Sequence, residues 1–472
     1  MDWTLFLPEL SLLLAAMLFL ARAWLPATED RRNYGLALAL AAVTVVLCLV
    51  CVHRHGDLFY NVYRVDLFSQ VFKTLLALGL LLTVFLCDTG NGISPGRQGE
   101  YFLLLFTCTL AMMLLVSSVH LLTIYMALEL SSYSLYVLVF LRLQGHLGMP
   151  AGLRYFLVGA CASAVMLFGL ALIYGATGTA RLVELTHVLP SMLSQPGVAL
   201  GVILTLGGFF FKLAVFPFHF WAPDAYEGAP NQVATYIATV SKVAAAAILV
   251  RVVAPTQGAG HLLANGLVAL ALISMTVGNL AAIAQKDFKR LMAFSSIAHG
   301  GYILIGILSM TPAGYSAVVF YAAGVLLMKY TCFMVMVKVA PDGHNLQIAE
   351  LAGLHRRAPL LAMALMLALF GLAGIPPTIG FTAKLLVFSA AMQQGYLALV
   401  VIAMLNVVIS LYYYLLVLKA AYLIEPESEP PQLEVSLPTR LLSCALMVAI
   451  VAIGFYPTPL VTLARSAARV LM

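Results

Sequence analysis

Runs of about twenty apolar residues, closed by short polar or Pro/Gly stretches, recur along this chain from one end to the other. No other feature limits the fold so strongly. In lipid every backbone N–H and C=O must be satisfied by the chain itself, so runs of this length can only be helices. With 63% hydrophobic and 9% charged residues, a chain of 472 has too little polar surface to cover a soluble globule. The expected fold is therefore an all-α polytopic membrane protein.

Reading the runs against their breaks places fourteen helices near 5–25, 34–53, 66–87, 101–118, 120–141, 153–174, 198–220, 231–253, 262–284, 290–309, 314–339, 358–391, 396–422 and 438–460. The fourth and fifth are separated only at Ser117-Ser118, and Pro376-Pro377 divides the twelfth into two half-helices. An acidic, proline-rich loop from Glu425 to Pro431 sets the last helix apart. When the loops are alternated, Arg31, Arg32, Arg97, Arg142, Lys286, Lys289, Arg290, Arg356 and Arg357 fall on one side. Arg54, Arg64, Arg181 and Arg251 fall on the other. The richer set belongs inside, which puts both termini on the outer side.

The net charge of +6 reports this loop bias, and no nucleic-acid partner is inferred from it. The N-terminus has Asp2 in place of a basic region and an apolar run reaching Leu25, so it is not read as a cleavable signal. Seven cysteines lie in or beside apolar runs, where Cys acts as a small hydrophobe. Cys48 and Cys51 form a lone C-x-x-C with no second pair to complete a metal or cluster site.

Within this apolar background a few charges stand out. The segment Gly207-Gly208-Phe209-Phe210-Phe211-Lys212-Leu213-Ala214-Val215-Phe216-Pro217-Phe218-His219 puts a lysine, a proline and a histidine into one membrane-length run. A charge at that depth costs a few kcal/mol, so Lys212 is expected to face the protein interior and act there. Pro217 is expected to free the carbonyl of Leu213 and break the helix. Glu129 and Lys242 lie near the centres of the fifth and eighth runs, and Lys384 lies in the twelfth. One such residue is explained as well by a packing ion pair; four together point to reversible protonation, because burial disfavours each charge while a neighbouring opposite charge restores it. His219 and His299 can relay protons near neutral pH. Lys73 lies closer to the start of its run and is expected to snorkel to the interface. The Tyr412-Tyr413-Tyr414 run is assigned no chemistry. The seventh and twelfth runs each combine Gly, Pro and one lysine, the pattern of paired interrupted helices in two matching halves.

Three strings carry a resemblance. Phe216-Pro217-Phe218-His219-Phe220-Trp221-Ala222-Pro223-Asp224-Ala225-Tyr226-Glu227-Gly228-Ala229-Pro230 is followed by Ala238-Thr239-Val240-Ser241-Lys242. Downstream come Ala373-Gly374-Ile375-Pro376-Pro377-Thr378-Ile379-Gly380-Phe381-Thr382-Ala383-Lys384 and Val408-Ile409-Ser410-Leu411-Tyr412-Tyr413-Tyr414-Leu415. Together they resemble the antiporter-like subunits of respiratory complex I, in detail those of the subunit N type, over essentially the whole chain. The resemblance implies two inverted five-helix repeats (helices 4–8 and 9–13) with helices 7 and 12 interrupted. The corresponding segments are 1–100, 101–253, 254–424 and 425–472. It implies a proton-translocating subunit in the membrane arm of an NADH:quinone oxidoreductase, in a bacterial inner membrane, beside sister antiporter-like and small membrane subunits. No cofactor would be its own; flavin, iron–sulfur clusters and quinone would belong to partner subunits. Glu129 and Lys212 would be the interacting pair of the first half, Lys242 the central relay and Lys384 the link to the exit side, with His219 matching the family's histidine after the seventh-helix lysine.

Two positions depart from the pattern. Arg154-Tyr155-Phe156 stands where the family commonly has Lys-Tyr-Phe, and arginine can bias its neighbours but hardly pass on a proton. Lys329 stands where subunit N has a neutral residue and the sister subunits a lysine; it is a further candidate relay member. Two other readings share the fold: a subunit of a multisubunit Na+/H+ antiporter, and one of a ferredoxin- or hydrogenase-linked complex. A stand-alone redox enzyme has no nucleotide fingerprint or cofactor-spaced cysteines behind it.

Overall fold

A computed structural model describes residues 3–24, 30–88, 96–142, 147–254, 260–426 and 432–471. The chain opens with helices α1 (Leu7–Arg22) and α2 (Asp30–Cys51), then a hairpin in which β1 (Gly56–Leu58) pairs antiparallel with β2 (Tyr63–Val65). Next come α3 (Leu67–Phe85), α4 (Gln98–Ser117), α5 (Leu121–Phe140), α6 (Gly148–Thr177) and a short α7 (Leu182–Met192). The interrupted region follows: α8 (Pro196–Leu213), α9 (Trp221–Gly228), α10 (Asn231–Ala238) and α11 (Val240–Val253). Then α12 (Gly260–Ile283), α13 (Phe288–Leu308), α14 (Pro312–Val339) and α15 (Leu354–Arg357) lead to a second interruption between α16 (Pro359–Ala373) and α17 (Ile379–Gln393). The chain closes with α18 (Leu397–Leu423), α19 (Leu437–Phe455) and α20 (Thr458–Arg469). Among the described residues 13 helices are long and apolar enough to cross a membrane, and α16 and α17 are shorter apolar helices in the place of the expected twelfth span.

The helices near the centre are apolar on every face because every face is packed. The most apolar stretch of Asn231–Val253 is completely buried, whereas only 28% of the corresponding stretches of Arg32–Cys51 and Leu437–Phe455 is buried, and these helices form the rim. Small residues permit the closest approaches. A Cβ added to Gly169 of α6 would sit 2.5 Å from the backbone N of Thr205 in α8.

The two long breaks close in the same way. At the end of α8 Ala214 turns left-handed (φ 61°), and the N–H groups of Ala214 and Val215 bond back to the carbonyls of Phe211 and Phe210. At the end of α16 Gly374 (φ 86°) and Ile375 bond back to Gly371 and Phe370. This reversed closure stops a helix while leaving its last carbonyls available. The seventh expected helix therefore ends at Leu213 and not at 220, and Pro217 lies beyond the helix, so the break is made at Ala214 and not by the proline. The eighth is also divided, at Thr239 (φ −115°, ψ −77°), an interruption the sequence reading did not foresee.

One end of the bundle is built by the hairpin. Phe59 and Tyr63 pack on Trp3 and Phe6, and the backbone of Val119 bonds to Val62. Arg64, Asp66, Arg251 and the C-terminal Val470 and Leu471 line a small pocket at this end, so both described chain ends lie there. The guanidinium of Arg251 reaches Asp66 at 2.9 Å with both groups buried. Burial alone would raise the Asp66 carboxyl, but Arg251 and the Ser69 N–H hold it below the ordinary carboxylate value.

At the opposite end Arg142 Nη1 donates to the Glu227 carbonyl at 2.5 Å, Lys289 Nζ to the Ala229 carbonyl at 2.9 Å, and Arg356 pairs with Glu425. Burial lowers the Arg142 pKa and raises that of Asp287, which caps α13. Arg142, Lys289 and Arg356 thus lie at the end opposite Arg64 and Arg251. The side chain of Arg31 and residues 427–431 of the acidic loop lie outside the described residues.

Candidate functional site

Lys212 occupies the last turn of α8 and is fully buried. Its Nζ donates to Ser131 Oγ at 2.9 Å and to Ser132 Oγ at 3.2 Å, both on α5. Each of these hydroxyls spends its own proton on the Leu128 carbonyl one turn back, so toward the lysine both act only as acceptors. Glu129 lies on the same turn, 7% exposed, and accepts a hydrogen bond from Ser163 of α6. The two residues expected to pair are neighbours, yet among the described residues no ion pair joins them. Serines, and not the carboxylate, hold the ammonium.

Lys242 sits at the start of α11, 4% exposed. Its Nζ donates to the backbone carbonyl of Lys212 at 3.1 Å and lies 4.8 Å over the ring of Trp221. That indole donates in turn to the Phe211 carbonyl at 3.1 Å and stacks on Tyr155 at 4.2 Å. The carbonyls of Phe211 and Lys212 near the end of α8 are therefore taken by one indole and one ammonium.

The second break repeats the device. Lys384 of α17 donates from Nζ to the carbonyls of Leu372 and Ala373, each at 2.8 Å, and lies 5.1 Å over Tyr302. A Cβ on Gly374 would come within 2.9 Å of the Lys384 Cδ, so glycine serves both the left-handed turn and the passage of the lysine. Lys329 of α14 is fully buried, with Nζ on the Met292 carbonyl (2.7 Å), Ser295 Oγ (2.8 Å) and Ser296 Oγ (3.0 Å) of α13. Three acceptors match the three protons of an ammonium. Lysine on a serine doublet thus occurs twice, at 131–132 and at 295–296.

Residues 118–410 match a family described as NADH:quinone oxidoreductase/Mrp antiporter, transmembrane. The chain belongs to this antiporter family. It is 58% identical over 472 residues, the full length of both chains, to NADH-quinone oxidoreductase subunit N 2 of Syntrophobacter fumaroxidans. It is 41% identical to the protein of the same name from Opitutus terrae, covering 96% of this chain and 95% of that one. A chain of respiratory complex I from Thermus thermophilus superposes with a TM-score of 0.83 at 34% identity, covering 96% of this chain and 98% of that one. A chain of the Mrp complex from Dietzia sp. reaches 0.88 over 100% of this chain and 98% of that one at 22% identity, which is a likeness of fold.

In this antiporter family member, Arg154 and His219 stand apart from the lysines. Arg154, on α6, is 67% exposed in its side chain and pairs with Asp224 at 2.6 Å. Asp224 and Glu227 also hold Arg290 at 3.1 and 2.6 Å, so these charges form a rim network. His219, 5% exposed, lies against the rings of Phe216 and Phe220 and bonds to none of the four candidate lysines. His299 is placed among the second-half groups, with Nδ1 2.7 Å from the Tyr321 hydroxyl.

The expectation for Lys73 is corrected. It does not snorkel: it is fully buried and its Nζ lies 2.8 Å from Glu9 Oε1, which also accepts the Tyr63 hydroxyl proton at 2.6 Å. The partner is a carboxylate of the first helix that reads as a helix-start residue. Sequence reasoning also missed the serine doublets, Ser163, Trp221 and Tyr226, whose hydroxyl donates to Ser296 Oγ at 3.3 Å. The doublets had a signal: two Ser-Ser pairs inside membrane-length runs that also hold Glu129 or His299.

Proposed function

We propose that this chain translocates protons in the membrane arm of a bacterial NADH:quinone oxidoreductase. The observation that carries the reading is the row of buried lysines, each held by serine hydroxyls or by carbonyls at a broken helix end. Such a site can hold an ammonium in a bilayer without a fixed counter-ion, and it is left changed when the proton departs. Lys212, Lys242, Lys329 and Lys384 are the proton-bearing groups. Glu129 biases Lys212 from the adjoining turn. His299 relays in the second half, and His219 and Arg154 act at the margin of the first.

The repeated lysine-and-doublet pattern supports reading 101–253 and 254–424 as two related halves of inverted repeats. The richer basic end lies inside, which puts both termini outside. The chain contributes no redox group of its own; flavin, iron–sulfur clusters and quinone belong to the partner subunits, and reduction there drives the protonation changes here. Identity to relatives named NADH-quinone oxidoreductase subunit N favours this reading over an Mrp-type antiporter, to which the likeness is one of fold.

The test is to extract native membranes in mild detergent, isolate the particle holding this chain, identify its partners by mass and assay donor-driven quinone reduction. Co-purification with flavin and iron–sulfur subunits and with quinone reductase activity is the expected result. Recovery with small membrane subunits alone and no redox activity would point to the antiporter.

A further inference from the structure

The tyrosine run that carried no chemistry in the sequence holds a group that does. Tyr414 of α18 is 1% exposed, and its hydroxyl lies 2.6 Å from Ser295 Oγ, one of the three acceptors of Lys329. On its other side the same hydroxyl lies 3.4 Å from His299 Nε2. His299 Nδ1 is in turn 2.7 Å from the hydroxyl of Tyr321. Lys329, Ser295, Tyr414, His299 and Tyr321 thus form one unbroken series of donor and acceptor atoms running through α13, α14 and α18. Every member is buried, and no carboxylate interrupts it.

Two features separate this series from ordinary polar packing. Ser131, Ser132 and Ser296 each give their proton to a carbonyl of their own helix, whereas among the described residues Ser295 has no such bond and its hydroxyl lies against that of Tyr414. Both nitrogens of His299 meet tyrosine hydroxyls. A neutral imidazole has one donor and one acceptor, so one tyrosine must give a proton to the ring while the other receives one. The series therefore has a direction, and the tautomer of His299 sets it.

We propose that Tyr414 is a proton carrier between Lys329 and His299, making the second half a directional wire. This rests on the proton-translocating function proposed above. In one passage the Lys329 ammonium gives a proton to the Ser295 oxygen, and the Ser295 proton moves to the Tyr414 oxygen. The Tyr414 proton moves to His299 Nε2, and the Nδ1 proton moves to the Tyr321 oxygen. The Tyr321 proton leaves for the neutral amine of Lys384, which lies over the Tyr302 ring beside His299 and shares no direct hydrogen bond with Tyr321 among the described residues, so this last leg needs an intervening water. One N–H bond breaks at Lys329 and one forms at Lys384, and each intermediate group ends with the proton count it began with. All the hydrogen bonds are then reversed, so hydroxyl rotation and tautomer exchange must reset the wire before a second proton follows. Until that reset occurs only the return path is open; once it has occurred, the return path is closed and Lys329 can again give a proton to the series.

The test uses the whole complex in proteoliposomes, with Tyr414→Phe, Ser295→Ala and the double variant compared for assembly, quinone reduction and proton uptake. A serial wire predicts a loss of translocation of about tenfold or more in each single variant. The double variant should be no worse than either, because one missing link already stops the passage. Translocation within about twofold of the unmodified complex in assembled Tyr414→Phe would overturn the proposal, as would independent, multiplying losses in the double variant. If Tyr414→Phe does not assemble, Ser295→Ala with His299→Gln carries the same comparison. Lys212→Met in parallel separates the two levels: normal pumping there sinks the translocation reading itself, whereas loss there with normal pumping in Tyr414→Phe sinks only the wire.

Discussion

Lys242 Nζ donates to the backbone carbonyl of Lys212 across 3.1 Å, so the two lysines of the first half meet through the broken end of a helix and not through their side chains. The carbonyl end of a helix carries a partial negative charge, which an ammonium can use where no carboxylate is in reach. Lys384 sits on the end of α16 in the same way. A lysine held like this is bound to the backbone geometry of another element. A change in its charge pulls on that helix end, and a displaced helix end changes what the lysine can hold.

Lys384→Ala should therefore do two things. It removes the proton-bearing group, and it leaves the Leu372 and Ala373 carbonyls without their charged donor, about 1.5–3 kcal/mol for each such bond. The expected outcome is an assembled complex with strongly reduced proton uptake and faster amide exchange across 370–378. Unchanged exchange there would contradict the capping role.

The Glu9–Lys73 pair makes a different prediction. Both groups are fully buried, so Glu9→Gln or Lys73→Met strands a charge and should cost about 3–5 kcal/mol, visible as a lower melting temperature of the isolated complex. The double variant Glu9→Gln/Lys73→Met should recover most of that loss. A double variant as unstable as the sum of the singles would mean that the pair is not coupled.

Arg154→Lys should be tolerated. The arginine is largely exposed and its pair with Asp224 lies on the rim, where such contacts are worth about 0–1 kcal/mol. Proton uptake and quinone reduction within about twofold of the parent are expected. A large loss would move Arg154 from the rim onto the proton path.

The loop after α14 should respond to pH. Burial by itself would lower the His344 pKa, but Asp342 at 2.5 Å and Glu350 at 3.3 Å raise it above its usual 6.5. A raised pKa means that the contribution is fully present below 6.5 and is lost as pH climbs through the folded-state value. The Asp342 pKa is lowered by the same contact, so its share is lost only in acid. Amide exchange over 340–350 should therefore quicken as pH rises past that point, after correction for intrinsic rates. Asp342→Asn should flatten the response; an unchanged profile in that variant would remove the ion pair as its cause.

Much of this was legible in the sequence, because a bilayer translates apolar length directly into helices and makes a buried charge conspicuous. Glu129, Lys212, Lys242 and Lys384 were visible for that reason, as was the break at Pro376-Pro377, whereas Lys329 stood out only through the family resemblance. The break after Leu213 comes earlier than the sequence predicts because Ala214, a residue with no special turn preference, takes the left-handed conformation usually given to glycine. Thr239 interrupts the eighth run with no composition signal at all. Lys73 departs from the expected snorkelling because its partner Glu9, 64 positions away in the sequence, reaches it only through the packing of α1 on the hairpin end. The roles of Ser295 and Tyr414 were hidden for a related reason: helices buried on all sides carry no amphipathic stripe, so the sequence does not say which hydroxyl faces which lysine.

The most direct test of the central claim is the number of protons taken up per electron by proteoliposomes holding the intact complex, measured side by side for the parent and Lys212→Met. If protons pass through Lys212, the assembled variant has a lower proton-to-electron ratio, with quinone reduction slowed to the extent that the two are coupled. An assembled Lys212→Met complex with the parental ratio would contradict it.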